Sequence, residues 1–334
     1  GDVRFDRPLQ QAALSIISAS LQVAQLSARW GARRFVFVST AFVHAVPSAN
    51  DYLQERLVEL RDLDPMELYR DAVSHGTWAE SAMRELGFPN TYTFTKAIAE
   101  HLVLQECNAA GIQGHIVRPS IVCPAWAAPF PGWAGDKPTT IVAGSALLTG
   151  RAVRVFRGST HPCPAVPVDL VAGEIIEALA GPASAGQISH AAIDASQADW
   201  MPSFFKMTQT LLQVLALRGD MSLPEAGLLL RLLRWAENAA LFCLLDLVAN
   251  RLPISLATFA CAVCCYVAGI TGYGADTWNS RLSKMRVICR YGQLPMQYSP
   301  YSSPHFAWRF QSKLKLPANW SPLEYTMLIH RAAV

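Results

Sequence analysis

The stretch Tyr92-Thr93-Phe94-Thr95-Lys96 opens a predicted helix, and Phe35-Val36-Phe37-Val38-Ser39-Thr40 ends a predicted strand before it. A Tyr and a Lys four residues apart lie on one face of a helix, so their phenol and ammonium groups can converge. Hydroxyl residues at the carboxyl end of a parallel strand face the crevice in which α/β sheets bind ligands. These two stretches therefore predict an α/β fold with a site where the strand and the helix meet.

The surrounding sequence alternates between strand and helix patterns. Short apolar runs predict strands, and apolar residues at helical spacing predict longer segments. The strands expected are Phe35–Val38, His115–Arg118 and Ala152–Phe156, and the helices are Leu9–Ala28, Pro65–Leu86, Thr91–Ala110, Thr140–Leu148 and Leu170–Leu179. Such alternation favours a doubly wound, parallel sheet of the Rossmann type, followed by a mostly helical C-terminal region.

The second half of the chain is unusually apolar. Hydrophobic residues make up 51% of the 334 residues and charged residues 16%, against about 25% charged in an average soluble domain. The range Leu252–Ala275 carries no charge, and its apolar centre, Ile254–Ile270, is near the roughly 20 residues that cross a bilayer. Because basic residues flank it on both sides, an interfacial anchor fits at least as well as a crossing. We expect a partial Rossmann-type domain at 1–200, a hydrophobic, membrane-associated helical segment at 201–290 and a C-terminal helical domain at 291–334, closed by a helix near Leu323–Ala332.

Charge and cysteine usage argue against two other classes of protein. The net charge of +3 and a pI near 8.4, without a long basic run, give no indication of nucleic-acid binding. Eight cysteines without regular spacing are typical of reduced thiols in an intracellular protein. Cys261 and Cys264 have the spacing of a metal-binding pair, but no second pair or nearby His accompanies them, so no metal is expected.

The predicted site has the groups needed to reduce a carbonyl. A phenol with an ordinary pKa of about 10 is a poor acid near neutral pH, and the Lys96 ammonium would stabilise the phenolate and lower the pKa of Tyr92. Tyr92 could then protonate a carbonyl oxygen while Thr40 or Ser39 holds it. The plain structural alternative is a half-buried Tyr–Lys pair on a helix surface, with ordinary polar residues ending a strand.

The active-site stretch Asn90–Glu100 resembles that of the fatty acyl-CoA reductases, membrane-associated members of the extended short-chain dehydrogenase/reductase superfamily. Further stretches resemble the same family, most specifically Ile116–Val122 with the Pro129–Trp133 loop after it, and also Val3–Leu9, Phe37–Val43 and Val166–Val171. The similarity is strong over about Val3–Leu179 and weak from Phe204 to Tyr291.

The resemblance implies NADPH-dependent reduction of a long-chain acyl-CoA to an aldehyde, with release of CoA, and then to an alcohol. It makes Tyr92 the proton donor and Lys96 its tuner and ribose contact, with Thr40 the first choice of hydroxyl and Ser39 the second. It places the nicotinamide against Pro119, Ser120, Ile121 and Val122. Arg118 could be structural or contact the cofactor, and Trp126, Phe130 and Trp133 could line an acyl channel or only pack. The family also implies an intracellular membrane, peroxisomal or endoplasmic reticulum, with the active site facing the cytosol.

One family feature is missing from the sequence. No glycine-rich phosphate loop precedes the strand, and Gly272-Tyr273-Gly274 reads as a turn. The sequence therefore predicts a sheet that is incomplete on its N-terminal side, poor or no cofactor binding by this chain and exposed strand edges. The alternatives are a catalytically silent membrane-associated fragment or paralogue, a nucleotide-sugar epimerase or dehydratase, and a thioester reductase module of a synthetase.

Overall fold

Five short strands and a series of helices make up the described part of the chain. The computed structural model describes residues 4–44, 52–135, 152–157, 163–181, 188–194, 197, 202–235, 238–293, 309–310 and 312–331. By density of internal contacts the chain forms two units: Gly1–Pro129 with Pro164–Trp200 and Phe306–Trp320, and Phe130–Cys163 with Met201–His305 and Ser321–Val334. The three-domain division from the sequence stays a prediction.

The first unit is built on parallel strands. Strands β1 (Arg34–Val38), β2 (Gln113–Pro119) and β5 (Ile188–Ala191) form one sheet in the order β1-β2-β5, and β3 (Ile121–Cys123) pairs with β4 (Ala165–Pro167) in a second. All three pairings are parallel, for example Phe37 opposite Ile116 and Ile116 opposite Ile188. Parallel strands joined through helices confirm the predicted α/β class.

Helices in the described part of the first unit connect or cover these strands. A continuous helix begins as α1 (Leu9–Ala12), passes through a π-helical segment (Ala13–Ser18) and ends as α2 (Ala19–Arg29); the others are α3 (Pro65–Ser74), α4 (Thr77–Glu85), α5 (Thr91–Ala109) and α6 (Val168–Ala180). The apolar faces of α1 to α5 pack with β1 and β2 into the main core. Within it α5 is buried along most of its length, which fixes the helix that carries Tyr92 and Lys96.

The single helix predicted over Pro65–Leu86 is wrong, because the structure contains two. Gly76 adopts a left-handed conformation with φ of 75°, which interrupts the helix at low cost only because glycine has no Cβ. Asp71 secures the break: its carbonyl accepts from the N–H groups of His75 and Gly76, and its carboxylate accepts from Ala79. The amphipathic pattern therefore continues through a change of helix direction.

The second unit is helical. Its helices are α7 (Phe204–Leu217), α8 (Leu223–Trp235), α9 (Ala239–Leu245), a π-helical segment (Asp246–Arg251), α10 (Leu252–Thr271), α11 (Ala275–Tyr291) and α12 (Pro322–Arg331). The last confirms the helix predicted near Leu323–Ala332, and Gly272-Tyr273-Gly274 is the turn between α10 and α11, as predicted. By length and composition, Ala240–Thr271 could cross a membrane.

The strand predicted at Ala152–Phe156 is wrong: these residues form no strand with any other part of the chain that the structure describes. The Asn250 side chain takes the place of a neighbouring strand. Its Oδ1 accepts from the N–H groups of Arg154 and Val155, and its Nδ2 donates to the Val155 carbonyl. The helix predicted at Thr140–Leu148 lies outside the described residues.

Candidate active site

The first turn of α5 is held firmly in place. The Asn90 side chain caps the helix by accepting from the N–H of Thr93 at 3.0 Å, which satisfies a backbone donor left free at a helix start. Thr91 Oγ1 donates to the carbonyl of Arg7 at 2.8 Å and so fastens this turn to the segment before α1. The position of Tyr92 is thus fixed by contacts on both sides of it in sequence.

Tyr92 lies mostly within the protein. Its side chain is 8% exposed and belongs to the main core. The Phe5 ring lies against it, with 5.5 Å between ring centroids. Because Tyr92 and Lys96 are four residues apart in α5, the two residues lie on the same face of that helix.

Lys96 reaches from α5 to the carboxyl end of β1. Its Nζ donates to the carbonyl of Val38 at 2.8 Å and lies 4.7 Å from the centre of the Phe37 ring. Burial lowers the pKa of Lys96 to about 8, although the nearby Glu100 carboxylate opposes that shift. The ammonium is therefore still charged at neutral pH, and among the described residues only the Val38 carbonyl accepts from one of its three N–H donors.

Two hydroxyl groups follow Val38 at the same strand end. Ser39 and Thr40 are both buried, and each is 5% exposed. Thr40 Oγ1 accepts from the N–H of Phe42 at 3.3 Å, at the start of a short 3-10 turn, which leaves its own proton available for donation. Ser39 Oγ has no hydrogen-bond partner among the described residues. The structure thus brings Lys96, Ser39 and Thr40 to one end of β1.

The neighbouring strand β2 ends at the predicted nicotinamide contact. The N–H groups of Ser120 and Ile121 are already used, since they donate to the carbonyls of Ala191 and Pro164. The buried Ser120 Oγ, by contrast, has no partner among the described residues. A buried, unpaired hydroxyl is costly unless a ligand or water satisfies it. Unpaired hydroxyls at the ends of both β1 and β2 fit a polar cofactor group at this edge of the sheet.

Arg118 is structural in this arrangement. It is fully buried on β2 and forms a forked ion pair with the equally buried Glu100 of α5: Nε donates to Oε1 at 2.9 Å and Nη2 to Oε2 at 2.6 Å. Arg118 Nη1 also lies 3.1 Å from the His44 ring nitrogen, and burial, aided by the Arg118 charge, lowers the pKa of His44 to about 3. This network ties the helix of Tyr92 and Lys96 to β2.

Asp169 organises the loop that follows β3. Its carboxylate accepts from the N–H groups of Trp126, Ala127 and Ala128 at 3.0, 2.8 and 3.1 Å. Trp126 is buried and packs on Trp320, with 4.9 Å between ring centroids. Phe130 and Trp133, in the other unit, are exposed.

Two residues that support the site, Glu100 and Asp169, have no role in the predictions from the sequence. A charge at Glu100, among the apolar Ala97, Ile98 and Leu102, is the signal that a buried partner exists. Asp169 lies in the first turn of α6 after Pro167, where an acidic residue usually stabilises the helix start. Its role towards a loop some 40 residues earlier has no counterpart in local sequence.

The match to a family model settles the class of protein. Residues 1–175 match the model of the NAD-binding male sterility protein family, which is more than half of the chain. The chain belongs to this family.

Individual relatives carry more specific names. The chain is 33% identical over 181 residues to fatty acyl-CoA reductase 1 of Gallus gallus, which covers 51% of this chain and 32% of that protein. It is 32% identical over 189 residues to the Xenopus laevis protein of the same name (53% and 34%), and 35% identical over 135 residues to fatty acyl-CoA reductase 2 of Mus musculus (39% and 25%). The aligned region thus spans between a quarter and a third of the length of these relatives.

A solved structure also shows similarity. The terminal R domain from the myxalamid PKS-NRPS biosynthetic pathway is similar to this chain with a TM-score of 0.40 and 18% identity, over 69% of this chain and 53% of that domain. At this level the likeness carries no argument about function.

Proposed function

We propose that this chain supplies the catalytic part of an enzyme that reduces long-chain acyl-CoA with NADPH, giving CoA and an aldehyde and then an alcohol. The observation that carries the proposal is the 2.8 Å hydrogen bond from Lys96 Nζ to the Val38 carbonyl. It brings the cation of the Tyr–Lys helix to the strand end that carries Ser39 and Thr40. Family membership and relatives named fatty acyl-CoA reductase support acyl-CoA as the substrate class.

Each residue of the site has a proposed task. The nicotinamide, when bound, supplies hydride to the carbonyl carbon. Thr40, with its oxygen fixed by the Phe42 N–H, or Ser39 donates a hydrogen bond to the carbonyl oxygen. Tyr92 gives that oxygen its proton, and the Lys96 charge stabilises the phenolate that remains.

The two reductions then follow from one arrangement. Adding a hydride and a proton to a thioester gives a hemithioacetal, and cleavage of its C–S bond releases the CoA thiol and leaves an aldehyde. A second hydride and proton convert the aldehyde to an alcohol. Because both steps protonate a carbonyl-derived oxygen, the same Tyr92 phenol serves both.

The proposed cofactor contacts lie on both sides of the nicotinamide. Lys96 would donate to the ribose with the N–H groups that Val38 leaves unused. The segment Pro119–Val122 would face the carboxamide, with the unpaired Ser120 hydroxyl as its polar contact in place of the engaged N–H groups of Ser120 and Ile121.

We further propose an intracellular membrane location, peroxisomal or endoplasmic reticulum, with the site facing the cytosol and attachment through 252–275.

Tyr92→Phe in the full-length protein tests this proposal. The substitution removes one oxygen from a packed ring, so the fold should persist while acyl-CoA-dependent NADPH oxidation falls by about 10²–10⁴-fold, the usual contribution of a positioned general acid. Tyr69→Phe is the matched control. Tyr69 is a half-buried tyrosine whose hydroxyl lies 2.8 Å from Ser18 Oγ, and the loss of this hydroxyl should leave turnover unchanged. Equal rates for Tyr92→Phe and the parent would refute the proton-donor role.

A further inference from the structure

We propose that α10 and α11 form a hairpin, Leu252–Tyr291, that lies within the surface of an anionic lipid bilayer and does not cross it. This inference concerns membrane attachment and does not depend on the proposed reaction. It rests on how the two helices pair, on which faces they leave exposed and on where the basic side chains lie.

The two helices run antiparallel along their whole length. At the end away from the turn, an added Cβ on Gly292 would lie 2.7 Å from Ile254 Cδ1. One turn further along, Thr258 Oγ1 lies 3.0 Å from Cys289 Sγ. Near the turn, residues of both helices line a cavity of about 250 Å³: Val263, Cys264, Val267, Ala268, Thr271, Tyr273 and Trp278. A membrane depth assigned to α10 therefore applies to α11 as well.

The face of α10 turned away from α11 is apolar and open to solvent. The side chains of Phe259, Tyr266 and Ile270 are 71%, 73% and 70% exposed, and Leu256 is 66% exposed. Only Ile254 and Ala268 of this 20-residue helix are buried. A contiguous apolar surface of this size on a folded protein marks an interaction site. The exposed face of α10 is therefore suited to contact with an apolar phase rather than with water.

The exposed charged side chains of α11 are mainly basic. Arg281, Lys284 and Arg286 are exposed, whereas Trp278, Leu282 and Met285 are partly buried, and the Arg281 guanidinium lies 4.7 Å from the centre of the Trp278 ring. The contacts at both ends set the register, so Arg281 is level with Tyr266 and Lys284 with Val263. If α10 crossed a bilayer, these cations would lie at the middle of the hydrocarbon, where charged side chains are strongly disfavoured.

A hairpin parallel to the surface avoids that cost. The apolar face of α10 enters the acyl region, and α11 lies above it at the level of the headgroups. The long stems of Arg281, Lys284 and Arg286 then carry their charges to lipid phosphates. Because α11 has four basic residues and one acidic residue in sequence, charge complementarity selects an anionic surface.

Vesicle flotation of the full chain tests the lipid preference. Wild type should bind vesicles of phosphatidylcholine with phosphatidylserine better than phosphatidylcholine alone, and salt should weaken the difference. The triple variant Arg281→Gln, Lys284→Gln, Arg286→Gln should lose this preference. The control Lys206→Gln, Arg218→Gln, Arg231→Gln removes the same number of exposed charges from α7, α8 and the residue after α7, and should keep it. Equal binding of the wild type to both vesicles at low salt would overturn the proposal.

Topology distinguishes a surface hairpin from a crossing one. A short epitope inserted after Tyr273, in the turn, is expressed in the full-length protein and exposed to protease on sealed membranes. A surface hairpin leaves this epitope on the same side as a second epitope inserted after Ala110, so both are cleaved without detergent. Protection of the turn epitope until detergent is added would show that the hairpin crosses, and would overturn the proposal.

Discussion

Removing the charge of Glu100 should destabilise the first unit strongly. Glu100→Gln leaves the Arg118 guanidinium fully buried with a neutral amide in place of two carboxylate contacts at 2.9 and 2.6 Å. Breaking a buried ion pair by changing one partner costs about 3–5 kcal/mol. We expect a value near 3 kcal/mol, since the Gln oxygen can still accept one bond.

Hydrogen exchange of the α5 amides is the suitable assay. The chain has two units, so one unfolding midpoint for the whole molecule does not report on α5. A loss of about 3 kcal/mol should speed exchange of the most protected α5 amides by roughly 100-fold, at about 1.4 kcal/mol for each factor of ten. Glu106→Gln on the same helix is the control, because Glu106 has a 3.4 Å contact with Gln25 and its substitution should change stability by under about 0.5 kcal/mol.

A double substitution separates charge from packing. Glu100→Leu with Arg118→Met removes both buried charges, and such replacements are often neutral or stabilising. The double variant should recover most of the protection that Glu100→Gln loses. If the amides of Glu100→Gln exchange at the parent's rates, or if the double variant is no more protected than Glu100→Gln, the buried Arg118 charge is not the source of the predicted destabilisation.

Two further predictions concern the site and its loop. In Lys96→Arg the alkaline limb of the pH–rate profile should move to higher pH, because the Lys96 ammonium loses its proton above a pKa of about 8 whereas Arg stays charged. The maximal rate should fall, since the guanidinium does not reproduce the geometry of the ammonium. An alkaline limb at the same pH in both proteins would show that Lys96 does not set it. Asp169→Ala removes the acceptor of three loop N–H groups and should lower the stability of the loop by about 1–3 kcal/mol. Proteolysis between Trp126 and Trp133 should become faster, and Asp169→Asn should be intermediate. Equal cleavage of the parent and both variants would contradict the proposed role of Asp169 in holding the loop.

The sequence predicted elements well where local pattern decides them. The helix of Tyr92 and the strands around Phe37 and Ile116 were located within about two residues, because a buried helix and buried parallel strands carry strong apolar patterns. The turn at Gly272 was also predicted. Two elements failed for physical reasons: Gly76 breaks a helix whose apolar spacing continues past it, and Val155 is hydrogen-bonded by Asn250 far along the chain.

The candidate site divides in the same way. Tyr92, Lys96, Ser39 and Thr40 are predictable because spacing on one helix and position at one strand end are local properties. The partnership of Arg118 with Glu100 joins two elements across the core, and the role of Asp169 joins α6 to a distant loop. Neither contact can be predicted from the spacing of residues along the chain. The sequence therefore left Arg118 with two alternatives, a structural role or a cofactor contact, that only the packed structure distinguishes.

The most direct test of the proposed reaction follows the hydride itself. The full-length protein is incubated with a long-chain acyl-CoA and NADPH that carries deuterium at the transferred position, and the products are analysed by mass spectrometry. The proposed reaction should leave one deuterium on the terminal carbon of the aldehyde and two on that of the alcohol, and should release one free CoA for each acyl group reduced. Recovery of intact acyl-CoA without any deuterated aldehyde or alcohol would contradict it.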